Sequence, residues 1–459
     1  MIKKNDVSRR QFLSRTALTL PVAAAAIPAA MEITSPMKAN AASYPSIQQS
    51  IPNRTLPNRV NIPTWVEPVT GLDLTEKLDC SQAIQDAITR AVTNHGGGTV
   101  LIPRQHTGGT YSNDGSSTNR CIYKIDPMRV LFDNSDPSDP KYCAIEIKNN
   151  YIRLECEPGV TLESMTINRG NPIHPTRRAY MLYVHEVQGI EIVNGSYVGE
   201  RQTHILSGSP TDKNHTDEWC HGLQILGVNN ITVRGAHFSS FTGDGICVGN
   251  INGTGSTNVY LCDVLCTDNR RQGLSLTQGD GIYVYDSEFS YTYGTLPMNG
   301  IDIEPEGSST VQNVTIDNCI IKGNEGNGIE CNTHDDNVSI SNVDITNCMF
   351  SYNFFDGFYA HRYKGTISGG SVFGCAFYQN GNFGLSIVQG VTGYTIGAPH
   401  VDGIYTNSFA NNGTSSNTIV YPNTTLARHS GYWAGVDDMN ADSGAQSANI
   451  WQNNYFFSS

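Results

Sequence analysis

Three carboxylates recur at matching places in a repeated phrase. Asp302 and Glu304 follow Gly300 in NGIDIE (299–304), and Glu330 follows Gly328 in NGIECN (327–332). In an extended strand, residues two apart share a face and lie roughly 6.5–7 Å apart. Glu330 takes the place of Asp302 in the next copy, so the repeat sets the two side by side. Like charges stacked this closely oppose stability, and at least one pKa is expected to rise. An ionised base and a protonated acid would then share one site, as glycoside hydrolysis requires. A solvated acidic face or a calcium site is the structural alternative for the same residues.

The repeat itself supplies the positioning elements. Its glycines are Gly222, Gly245, Gly273, Gly300, Gly328, Gly357 and Gly384, at spacings of 23, 28, 27, 28, 29 and 27 residues. A fixed period of this size marks stacked coils. After each glycine the first and third residues are apolar and face a core, among them Ile246, Leu274, Ile301, Ile329, Phe358 and Leu385. The second and fourth face away. Further short strands precede each glycine, joined by Asn-, Gly- and Asp-rich turns. No coil carries an apolar 3.6 period, so a helical repeat is excluded. The expected fold is all-β: a single-stranded right-handed parallel β-helix, its coils roughly 4.8 Å apart. Cys319, Cys348 and Cys375 each lie nine residues before their glycine and are expected to stack inside as core fillers.

Other candidates come from the same columns. Tyr359 and His361 follow Glu330 in stacking order. Arg270 and Arg271 sit in the turn before Gly273, one coil before Asp302, where an arginine could bind a sugar carboxylate or hold an acid ionised. Asp244 belongs to the column preceding the glycines (His221, Asp244, Gln272, Asn299, Asn327, Asp356), which suits either an internal hydrogen-bond ladder or catalysis. A second cluster, Glu200 and His204 with Trp219 and His221, lies in an insertion between earlier coils. Trp219 is a candidate for stacking on a sugar ring.

Ser8-Arg9-Arg10-Gln11-Phe12-Leu13, an apolar stretch and Ala39-Asn40-Ala41 form the pattern of a twin-arginine signal over residues 1–41, implying a secreted protein. Residues 42–75 read as an extended segment, 76–393 as the β-helix with its cap, and 394–459 as a C-terminal cap. Cys80, Ala83, Ile84, Ala87, Ile88, Ala91 and Val92 line one face of an amphipathic helix that Gly96-Gly97-Gly98 stops; it is expected to cap the first coil. Residues 1–41 hold six basic and two acidic side chains, so the remainder carries 23 basic, 40 acidic and a net charge of −17. That opposes nucleic-acid and membrane-surface partners.

The stretch DCSQAIQDAITRAV…HGGGTVLIP…YKIDP (79–127), leading into coils of NV.I…C.F…GI, resembles the pectate-lyase-like superfamily, in its rhamnogalacturonase and tailspike branch. The resemblance implies a β-helix that acts on a polysaccharide, as monomer or homotrimer. The polygalacturonase set and the lysine–arginine arrangement of β-helix lyases are both missing, so no catalytic residue is carried over. Acidic outward positions favour a hydrolase that requires no cofactor. A lyase acting on a uronate polymer, with calcium as a candidate cofactor, is the alternative; a non-catalytic sugar-binding or surface module is the second.

Overall fold

A computed structural model describes residues 61–105, 121–133, 135, 140–166, 178–204, 218–387 and 390–397, together with short backbone strands between 409 and 456. The expected signal at 1–41 lies outside the described residues. Among the described residues no helix is long and apolar enough to cross a membrane.

Each full coil holds three strands, one for each of three parallel sheets. The first sheet contains the glycine-led strands Cys220–Leu226, Ile246–Ile251, Leu274–Leu276, Ile301–Ile303, Ile329–Thr333, Phe358–Arg362 and Leu385–Ile387. The second contains the longer strands, such as Thr310–Asp317 and Ser339–Thr346. The third stacks nine short strands, among them Ile320–Lys322 and Met349–Ser351. Successive coils pair in parallel and in register: Leu274 with Ile301, Ile301 with Ile329, and Ile329 with Phe358. All of these side chains are fully buried, as the alternation requires. Cys319, Cys348 and Cys375 are buried free thiols in one internal column.

The repeated glycine has a steric cause. A Cβ on Gly273, Gly328 or Gly357 would stand 2.4–2.5 Å from the carbonyl oxygen of the glycine one coil on. The coils can stack at this corner only without side chains. The corner is also wired by an amide ladder. Asn324 Nδ2 donates to Asn353 Oδ1 at 2.8 Å, and Asn353 Nδ2 to Asn380 Oδ1 at 2.9 Å. Buried amides are thereby paired rather than stranded.

The expected helix is observed at Ser81–His95, with Ile84, Ala87, Ile88 and Ala91 buried. Gly96 closes it in the left-handed conformation, at φ 69°. Two boundaries differ from the sequence reading. Val66–Pro68 already pairs in parallel with Gly98–Ile102, inside the segment read as merely extended. Trp65 stacks on His95 at 3.8 Å and Glu67 meets Arg90 at 2.6 Å, which pins this strand to the helix. Parallel pairing also runs past residue 393. Phe409–Asn411 adds to Leu385–Ile387, and Thr418–Val420 adds to Val391–Gly397. The backbone ladder outlasts the glycine motif because main-chain pairing does not depend on that motif.

Candidate active site

The outward column of the first sheet runs Tyr183, Gln224, Cys247, Ser275, Asp302, Glu330, Tyr359 and Ser386. Asp302 and Glu330 are direct register partners. They are not bare charges facing water. Asp302 is 3% exposed and Glu304 7%, while Glu330 is only half-buried. Amides fill the spaces between them. Gln272 Nε2 donates to Asp302 Oδ2 at 2.7 Å. Asn299 Nδ2 reaches Asp302 Oδ1 at 3.4 Å and Glu330 Oε2 at 2.7 Å. Asn327 Nδ2 adds a bond to Glu330 Oε2 at 3.0 Å, and Asn332 Nδ2 one to Oε1 at 3.2 Å. Glu304 Oε1 lies 3.4 Å from His334 Nε2.

Three of these amides, Gln272, Asn299 and Asn327, come from the column preceding the glycines, which is indeed a ladder. Asn299 N donates to Gln272 Oε1, Asn327 N to Asn299 Oδ1, and Asp356 N to Asn327 Oδ1, all at 2.8–3.0 Å. Each side chain thus joins its neighbour's backbone with one end and supports a carboxylate with the other, as Asn299 and Asn327 do. At the far rung Asp356 takes an amide's place and accepts from Phe383 N at 3.0 Å. Burial pushes its carboxyl up to about 6; Glu330 adds to the rise, and the bond from Phe383 opposes it. The sequence reading puts the raised carboxyl among Asp302, Glu304 and Glu330 through like charge; Asp356 lies outside that set, and burial is its main cause.

Asp244 departs from the ladder pattern. Arg271 Nη1 lies 3.0 and 2.9 Å from its two oxygens, and Ser275 Oγ donates at 2.9 Å. Burial disfavours the charge on Arg271, but Asp244, Glu218 and Asp302 outweigh it and raise its pKa. His221 Nδ1 accepts from Asp244 N at 2.8 Å. Burial holds His221 down at about 4, against the pull of Asp244.

The two clusters read separately in the sequence are joined through this pair. Trp219 has the Arg271 guanidinium 5.3 Å and the Arg178 guanidinium 4.6 Å from its ring centre. Its ring thus lies against two cations. The side chains of Glu200 and His204 are buried, 3.5 Å apart, and Thr242 donates to Glu200. Burial favours neutral Glu200, but His204 and Thr242 prevail and lower its pKa. The Arg270 side chain packs beside Gly294 in the neighbouring turn.

Beyond Glu330 stand four rings. Tyr359 stacks with His361 at 5.5 Å, His361 meets Tyr363 edge-on at 3.9 Å, and Tyr363 stacks with His334 at 4.7 Å. Burial, with His334, lowers His361 to about 4. Among the described residues, no group of three or more His, Cys, Asp or Glu side chains is arranged to hold a metal ion. His334 and Arg178 escaped the sequence reading because they lie outside the glycine phrase. Gln272, Asn299, Asn327 and Asp356 stood in a recognised column, but nothing in their spacing signalled which end of each side chain would turn to the carboxylates.

The fold is a right-handed parallel β-helix. Residues 207–368 match the family described as Right handed beta helix region. A 161-residue stretch is 30% identical to the uncharacterized protein YclG of Bacillus subtilis (strain 168); it covers 32% of this chain and 27% of that protein. Among solved structures, the A-module of the Azotobacter vinelandii mannuronan C-5 epimerase AlgE4 aligns over 85% of this chain and 99% of its own, with TM-score 0.40 and 12% identity. An exopolygalacturonase from Thermotoga maritima aligns over 79% and 89%, with TM-score 0.37 and 13% identity. No residue role is transferred from them.

Proposed function

We propose that this protein is a secreted polysaccharide-degrading enzyme that hydrolyses glycosidic bonds along the outward column of the first sheet. The observation that carries the reading is the juxtaposition of Glu330, in register with Asp302, and Asp356, whose carboxyl is raised to about 6. A carboxyl raised by burial beside a second that accepts from three amides is what general acid and base catalysis needs. Glu330 acts only as an acceptor toward three amides, so it is assigned the base that activates water. Asp356 is assigned the acid that protonates the leaving oxygen. Asp302, locked by Gln272 and Asn299, is assigned to accept a substrate hydroxyl and to fix the ladder amides.

The lyase alternative requires a cation to neutralise a uronate carboxylate and a base to take the adjacent proton. Arg271 is committed to Asp244, which supports the hydrolase. His361, held neutral by its low pKa, is the base that reading would use. A panel of neutral and uronate polysaccharides tests all three readings. New reducing ends without ultraviolet-absorbing products support hydrolysis. Unsaturated products, lost on calcium chelation or in Arg271→Ala, would replace it by the lyase. Retention of a polymer without turnover would leave a binding module.

A further inference from the structure

The carboxylate strip ends in an aromatic corner whose polar atoms are incompletely used. Tyr359 lies beside Glu330 in register, and His361 beside Asn332. Tyr363, 37% exposed, stacks on His334, whose Nε2 lies 2.8 Å from Asn332 Nδ2 and 3.4 Å from Glu304 Oε1. Asn332 is only 8% exposed, yet its Oδ1 has no hydrogen-bond partner among the described residues, and neither has His361 Nδ1. A buried acceptor without a donor is costly, so the corner is unfinished as pure structure.

The chemistry of a completing ligand follows from what is present. Ring faces take the apolar C–H face of a pyranose. Asn332 Oδ1, His361 Nδ1 and the carboxylates of Glu304 and Glu330 take hydroxyl hydrogens. A second carboxylate brought by the ligand would meet these acids directly. The neighbouring cations are turned elsewhere: Lys364 pairs with Asp336 at 3.4 Å, and Arg362 packs against Gly390. The net charge of −17 outside residues 1–41 adds a general repulsion of polyanions.

We infer that Tyr359, His361, Tyr363, His334 and Asn332 form a sugar subsite next to the carboxylates, and that it selects neutral pyranosides over uronates. This inference rests on reading the face as a polysaccharide site, but it concerns binding and not the reaction. Affinity electrophoresis of the full chain through gels holding neutral pyranoside polymers (glucan, mannan, galactan, rhamnan) or uronate polymers (pectate, alginate) reads it directly. At least one neutral polymer is expected to retard the protein and the uronates to leave it unretarded. Tyr363→Ala and His334→Gln are each expected to weaken that retention roughly tenfold. Tyr352→Ala, an exposed tyrosine on another turn, is the control and is expected to migrate as wild type. Unchanged melting temperatures separate lost binding from lost fold. Retention by uronates alone, retention by no polymer, or retention untouched in both variants overturns the inference. If retention behaves as expected but no reducing ends form, the subsite stands and the hydrolase reading falls. If a uronate polymer is hydrolysed, the hydrolase reading stands and the subsite falls.

Discussion

Arg271 Nη1 touches both carboxylate oxygens of Asp244, at 3.0 and 2.9 Å, in a pair no more than 6% exposed on either side. Removing one partner strands a buried charge, which typically costs about 3–5 kcal/mol. Arg271→Met and Asp244→Asn are each expected to destabilise by that order. The double variant is expected to lose less than the two singles added together, because neither charge is left alone. Chemical denaturation of the four proteins measures this. Strict additivity would show that the two residues do not act as a pair.

Asp302→Asn and Glu330→Gln are both expected to lower kcat by about 10²–10⁴-fold, but to differ in stability. Asp302 takes Gln272 on one oxygen and Asn299 on the other, so an amide there confronts a donor with a donor. That is expected to cost about 1–2 kcal/mol. Glu330 takes two of its three amides on Oε2, and Gln can keep both with its carbonyl. Its cost is expected to be smaller. Equal turnover to wild type in both variants would move the chemistry off this column.

The architecture was legible because one constraint generates it. A coil that stacks on its copy needs a glycine where the backbones nearly touch and apolar residues at alternate places, and both leave a period in the chain. The same logic put Asp302 beside Glu330. It could not reveal Arg271 turning to Asp244 while Arg270 turns to Gly294, since adjacent turn residues diverge by local geometry. Nor could it show that Asn299 bridges the stacked acids while Gln272 holds Asp302 and Asn327 holds Glu330. Like-charge stacking is costly as read in the sequence, and Asn299 and Asn327 sit three residues before the acids they support, where they resemble ordinary turn formers.

Export rests on the sequence alone. Replacing Arg9 and Arg10 by Lys is expected to hold folded precursor in the cytoplasm if residues 1–41 are a twin-arginine signal. Cell fractionation with an antibody to the chain reads the outcome. Unaltered secretion of the double variant would remove the assignment.

His221 contributes a pH-dependent share of stability. Its folded pKa, about 4, lies below the ordinary 6.5, so the fold disfavours its protonation. The contribution is present above 6.5 and declines as pH falls from there to about 4, by up to about 3 kcal/mol. His221→Gln can still accept from Asp244 N, and is expected to flatten that part of the profile. An unchanged slope between pH 6.5 and 4 in His221→Gln would assign the acid sensitivity to other groups.

Asp356 works in the opposite direction. Its folded pKa of about 6 exceeds the ordinary 3.8, so protonation favours the fold. The stabilisation is fully present below 3.8 and disappears as pH rises through 6. Asn at this position keeps a carbonyl oxygen for Phe383 N and carries no charge. Asp356→Asn is therefore expected to be more stable than wild type at pH 7–8, by about 1–2 kcal/mol. In the hydrolase reading the same proton is the one given to the leaving oxygen. Wild-type activity should then fall as pH rises through about 6, and Asp356→Asn should lose most of its turnover at every pH while gaining stability. A variant that is stabilised but fully active would leave Asp356 as a rung of the ladder alone and remove the acid role from it.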